Sequence, residues 1–135
     1  MRTSAREVAR GENGPVNAIA WVVSIPLAVV FAATGVLKLV RSREQLVLSG
    51  LGWAEDFSAG TVKLVGGLEI LAAVGLVVPP LLGIAPVLAP LAALGLALVM
   101  IGAAVTHARR GETPLVVVNV ALLLLATTVV TARLG

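Results

Sequence analysis

The sequence predicts an all-α membrane protein: an antiparallel bundle of four transmembrane helices, with a short interfacial helix between the first and second spans. Three observations predict it. Hydrophobic residues make up 59% of the 135-residue chain and charged residues 13%, where a soluble domain holds roughly 45–50% and about 25%. Four apolar runs each approach the ~20 residues that a helix rising about 1.5 Å per residue needs to cross a ~30 Å hydrocarbon core. None of the runs alternates with the period of a strand, and in lipid a helix pairs its own backbone groups.

Residues 1–16 read as a polar basic tail, with Arg2, Arg6 and Arg10 set against Glu7 and Glu12 before a Gly-Glu-Asn-Gly-Pro breaker. Residues 17–135 read as a single membrane domain. Its first span covers about 17–40. Residues 18–33 also resemble the apolar centre of a signal peptide, but the run continues through 35–40, beyond the usual ~7–15 residues, which favours a retained span. Pro26 predicts a kink there. The connector 41–60 is long enough for an element of its own. Trp53 and Phe57 lie four apart among charged residues, which fits an interfacial helix with both rings as head-group anchors. An ordinary polar loop with a buried Trp fits the same residues. The second span covers about 61–78 and ends in a tight, uncharged turn at 79–83. The third covers about 84–105, with Pro86 and Pro90 in its first turns, where proline is tolerated. A short charged loop, 107–113, leads to the fourth span, about 114–132.

Composition removes several functions. The chain has no cysteine, which excludes thiol catalysis, disulfides, Fe–S clusters and thiolate metal sites. It has one histidine, so no multi-histidine metal site forms within one chain. The net charge of +3 comes from basic residues that flank the spans. That pattern fits attraction to anionic lipid head groups, so the bilayer is the expected partner and nucleic acid is not.

Alternating helices gather the polar residues into one half of the bilayer. The end of span one brings Lys38, the start of span two Lys63 and Glu69, the end of span three Thr106 and His107, and the start of span four Asn119. An acid within an apolar span costs ~2.5–3.5 kcal/mol on insertion scales, so Glu69 needs a partner or a purpose. Lys38 shares a helical face with Phe31, Thr34 and Gly35, and Glu69 one with Gly66 and Ala73. Small-residue faces are packing faces. The expectation is a polar pocket lined by Thr34, Lys38, Glu69, His107 and Asn119. Lys38–Glu69 is its ion pair, and Asn119 bridges the carboxylate and the imidazole. Two plainer readings stand beside it: Lys38 and Lys63 snorkel to water, and Glu69 only fixes helix register.

Four patches resemble the DoxX-like family of small bacterial membrane proteins: FAATGVLKL at 31–39, GGLEILAAVGLVVP at 66–79, PLAALGLALVMIGAAVTHARRGE at 90–112 and NVALLLLATTVVTARLG at 119–135. The resemblance implies a four-helix bundle in a bacterial plasma membrane, with Lys38, Glu69, His107 and Asn119 as recurring polar positions. Members of that family include a membrane subunit of a thiosulfate:quinone oxidoreductase and a membrane partner in a mycobacterial oxidoreductase assembly, while most have no assigned activity. The resemblance therefore implies a quinone or lipid as ligand, with no covalently bound cofactor, and a homo-oligomer or a soluble redox protein as partner. Three functions follow as expectations. The first is a non-catalytic subunit or binding module for an amphiphilic small molecule. The second is an enzyme using Glu69 and His107 in acid–base chemistry. The third is an oligomeric transporter using Glu69 as a proton or cation site. The residues assign no catalytic group.

Overall fold

Each apolar run becomes a helix whose ends are set by identifiable residues. The structure, a computed structural model, describes residues 14–134; residues 1–13 of the expected polar tail lie outside them. Helix α1 is Pro15–Val40, α2 is Arg43–Leu48, a 3-10 turn covers Gly52–Asp56, α3 is Ala59–Leu82, α4 is Leu88–Arg109 and α5 is Thr113–Leu134. Among the described residues there is no strand. Four of the helices are long and apolar enough to cross a membrane.

Pro15 opens α1 at a position whose N–H has no intrahelical partner, so the missing donor costs nothing. Ser42 starts α2 with a reciprocal capping box: its hydroxyl accepts from Gln45 N at 3.1 Å, and its own N–H donates to Gln45 Oε1 at 2.9 Å. Ser58 caps α3 by accepting from Thr61 N at 3.1 Å. The short helix expected between the first two spans is thus α2, and a 3-10 turn follows it.

Two boundaries differ from expectation. The turn expected at 79–83 is not there: α3 runs through Pro79 and Pro80 to Leu82. Proline's fixed φ is compatible with a helix, and what it removes is a donor. The stop is Gly83, at φ 66°, which closes a Schellman motif: Gly83 N donates to Pro80 O at 3.3 Å and Ile84 N to Pro79 O at 3.0 Å. In consequence α4 begins at Leu88 rather than Ile84. Ala85 precedes Pro86, a position that disfavours helix, and takes φ 42°. At its other end α4 continues past Val105 to Arg109, which makes His107 a helical residue.

The four long helices form a closed ring. α1 packs most closely on α3 and α4 on α5, while looser α3–α4 and α1–α5 seams join the two pairs. Leu27, Phe31, Leu76, Leu96, Met100 and Val129 fill the centre. Large apolar side chains such as Leu71, Leu98 and Leu124 point outward, as lipid-facing residues should. The tight α1–α3 contact rests on Gly35 and Gly66. A Cβ on Gly35 would lie 2.6 Å from Gly66 O, and one on Gly66 would lie 2.9 Å from Gly35 O. The connector has a small core of its own, Leu46, Ala54 and Val62, flanked by Leu51, Trp53 and Phe57.

Candidate functional site

The close α1–α3 approach determines what Glu69 can reach. Gly66 lies one turn before Glu69, and a Cβ there would lie 2.8 Å from the Lys38 Cβ. The Lys38 stem therefore lies flat across α3, and its ammonium meets both carboxylate oxygens of Glu69, Oε1 at 3.0 Å and Oε2 at 3.1 Å. Thr34, one turn before Lys38, donates its hydroxyl to Glu69 Oε2 at 2.7 Å. Lys38 is 9% exposed and Glu69 3%. The charges cancel and the carboxylate is well supplied with donors, which is the condition for keeping an ion pair out of water. The Lys38 ammonium also stands 5.5 Å from the centroid of the Trp53 ring. Lys63 stays outside this group. It is exposed and donates to Leu39 O at 2.9 Å, near the end of α1.

These residues form one wall of a cavity of about 550 Å³. Thr34, Lys38, Glu69, His107 and Asn119 all line it, with Phe31, Met100 and other apolar side chains around them. Trp53 and Phe57, read from the sequence as head-group anchors, are half-buried and line the cavity too. They do so from the 3-10 turn and the residue after it, with ring centroids 6.1 Å apart in an edge-to-face arrangement.

The opposite wall is arranged differently from expectation. Asn119 bridges nothing: its Nδ2 donates to Leu115 O, one turn back, at 2.8 Å. Nor does His107 pair with Glu69. Its Nδ1 lies 3.0 Å from Glu112 Oε1. The cause is a second Schellman motif, with Gly111 at φ 69°. Gly111 N donates to Ala108 O at 3.1 Å and Glu112 N to His107 O at 2.9 Å, which sets the Glu112 side chain beside that of His107. The His107 hydrogen bond is the main cause that holds the Glu112 carboxyl below its ordinary range, with the Arg110 charge adding to it. An ionised Glu112 accepts, so Nδ1 carries the proton, and in the neutral ring Nε2 keeps its lone pair. His107 and Asn119 are each 8% exposed.

Arg110 ties the cavity's roof down. It donates to Asp56 Oδ2 at 2.9 Å, to Glu55 Oε1 at 3.3 and 3.4 Å, and to Glu112 Oε1 at 3.2 Å. The Asp56 hydrogen bond leads the effects that raise the Arg110 pKa. Among the described residues, every hydrogen bond from the connector to the α4–α5 side is made by Arg110. The sequence reading missed this clasp. Its signal was the Arg-Gly-Glu run at 110–112, where a glycine reverses the chain between opposite charges. The other end of the bundle has a polar contact of its own. There Arg133 donates to Asn17 Oδ1 at 3.0 Å and sits 5.0 Å from the Trp21 ring centroid. Among the described residues no group of three or more His, Cys, Asp or Glu could hold a metal.

Comparison with known proteins leads to one family. A search of curated proteins and one of solved structures each found no match. The family model of the DoxX-like family matches residues 22–129, which hold the cavity's polar side chains and most of the spans that carry them, and the chain belongs to the DoxX-like family.

Proposed function

We propose that this membrane protein is a non-catalytic subunit or binding module of the bacterial plasma membrane that holds a neutral amphiphilic small molecule, of quinone type, in the cavity between its helix pairs. One observation carries the reading: a largely apolar space of about 550 Å³ into which polar side chains converge from four helices. On the α1–α3 wall the Lys38–Glu69 pair is neutral and mutually satisfied, so a charged head group would have to break it. On the α4–α5 wall Asn119 keeps its Oδ1 and one N–H, and His107 keeps Nε2. Those groups suit a ring carbonyl or hydroxyl. A soluble redox protein would dock on the charged rim formed by Glu55, Asp56 and Arg110.

The test is binding of a quinone by the purified protein in nanodiscs. Wild type should bind, and Asn119→Leu should weaken binding about tenfold with the helical circular dichroism unchanged. Failure of wild type to bind any ubiquinone or naphthoquinone would overturn the reading.

The acid–base reading keeps one supporting observation. Glu112 orients the His107 ring over the cavity, as an orienting carboxylate does for a general base. Glu69 is taken up by Lys38 and Thr34, so His107 would act without it. Turnover of an isoprenoid quinol by the purified protein alone, lost in His107→Gln, is the result that would favour this reading.

A further inference from the structure

We infer that the ligand carries a single linear hydrocarbon tail, isoprenoid or acyl, and that the tail leaves the cavity between α3 and α4 along a groove on the outside of the bundle. The inference rests on the reading of the cavity as a head-group site and adds the class of molecule and its path.

The groove holds about 480 Å³ and is lined by α3 and α4 residues, among them Leu71, Gly75, Leu91, Gly95 and Val99. No charged or polar side chain lines it, so it offers nothing to a second head group. Val99 lines both the groove and the cavity, so the two spaces adjoin at that side chain. Along α4, Gly95, Val99 and Gly102 fall at positions i, i+4 and i+7, on one side of the helix. Gly95 lines the groove and Gly102 the cavity.

These two glycines differ from the packing glycines elsewhere. A Cβ on Gly75 would lie 2.9 Å from the Ala92 Cβ, and those on Gly35 and Gly66 would strike backbone. A Cβ on Gly95 or Gly102 would meet nothing within 4 Å. A glycine inside a helix is destabilising relative to alanine, and here no approaching helix explains it. What the pair does is leave a track open.

The track matches a lipid-like molecule in length and direction. From Gly102 to Leu88, the far end of the groove, α4 rises about 20 Å of the ~30 Å hydrocarbon core. It starts at the polar end and runs toward the opposite leaflet. At its start stand two polar residues, each 8% exposed and both lining the cavity. Among the described residues Asn119 Oδ1 and His107 Nε2 make no hydrogen bond, which points to a head group placed there. One groove takes one chain, and the neutral Lys38–Glu69 wall favours an uncharged head over a phospholipid.

The test compares 2-methyl-1,4-naphthoquinone with the same ring bearing a four-isoprene tail. Both are titrated into the full chain in nanodiscs, with affinity expressed per mole fraction of lipid. The tailed ring should bind about tenfold more tightly. Gly95→Phe should remove that advantage and leave the tail-less ring within about twofold. Leu94→Phe, on a neighbouring outward-facing residue outside the groove, should change neither. Equal binding of the two rings by wild type, or a Gly95→Phe effect on both or on neither, overturns the tail path while the head-group reading stands. If neither ring binds, the head-group reading falls, and a long-chain alcohol carrying a diazirine on its chain decides the groove by itself. Labelling concentrated at Leu91 and Val99 and competed by unlabelled alcohol supports the track. Equal labelling of Leu94 and Leu98 overturns it. A dimer that dissociates in Gly95→Phe, with no dependence on tail, assigns the groove to a second copy and also overturns it.

Discussion

Two glycines end two helices with the same backbone motif at opposite ends of this bundle. Gly83 closes α3 with φ 66° and Gly111 closes α4 with φ 69°. In each, the residue after the glycine returns its N–H to the carbonyl five residues back. What differs is the pair of side chains this brings together. At the first turn they are Pro79 and Ile84, and the turn is only a corner. At the second they are His107 and Glu112, 3.0 Å apart, with Arg110 reaching from the same turn to Glu55 and Asp56. The same conformational motif thus serves as a plain corner in one copy and carries a charged clasp beside the cavity in the other. The same contrast runs through the bundle, since the polar end holds the Lys38–Glu69 pair and the proline end is mostly packing.

The largest expected effect breaks the polar end at its centre. Glu69→Ala leaves the Lys38 ammonium buried without its partner and should destabilise the protein by about 3–5 kcal/mol in reversible unfolding from micelles. Lys38→Met with Glu69→Leu should recover most of that loss, because two apolar groups replace two satisfied charges. A loss under about 1 kcal/mol for the single change would mean a solvated pair and would dissolve the contrast between the two ends. Next comes Gly35→Ala, which drives a methyl toward Gly66 O and should cost about 1–3 kcal/mol, read in the same unfolding experiment.

Smaller effects sharpen the comparison of the two turns. Gly83→Ala and Gly111→Ala should each cost about 1–2 kcal/mol, since both place a Cβ in the left-handed region. Only Gly111→Ala should also shift the fluorescence of Trp53, measured in a Trp21→Phe background, because only that turn carries the clasp over the 3-10 turn. Equal fluorescence responses would show that the clasp does not hold the roof. The smallest effect is a pH dependence. The folded protein holds the Glu112 carboxyl below its ordinary range, so its contribution to stability is full above about pH 4.3, the unfolded value. It is lost as pH falls through the lowered folded value. The stability difference between wild type and Glu112→Gln should therefore be present at pH 6 and shrink below about pH 4. A difference that grew on acidification would reverse the assignment.

The architecture was legible because it depends on length, polarity and parity. Four runs of sufficient apolar length fix four spans, and their alternation alone brings Lys38, Glu69, His107 and Asn119 to one end. The Lys38–Glu69 pair could be read as well, since a membrane carboxylate has few places to go. The helix ends could not be read from proline alone. Pro79 and Pro80 look like a stop, yet the helix tolerates them until Gly83 supplies a left-handed residue. The partners of His107 and Asn119 were misread for one shared reason. Each found a partner within its own turn or helix, Glu112 and Leu115 O, and a local partner needs no tertiary reach. The sequence left Trp53 and Phe57 open between an interfacial anchor and a loop with a buried Trp, and both rings lie half-buried against the cavity, beside a small core of Leu46, Ala54 and Val62.

Gly35 and Gly66 leave little between two spans but their own main chains. Sliding one past the other by a turn would bring Phe31 or Leu39, Val62 or Ile70, to the contact, each with a Cβ that would press on the facing main chain. The first and third helices must therefore travel as one plank. Any opening of the interior would instead part the looser seams, moving the α4–α5 pair against that plank at the corner after Gly83 and past the contacts of Arg110 with Glu55 and Asp56.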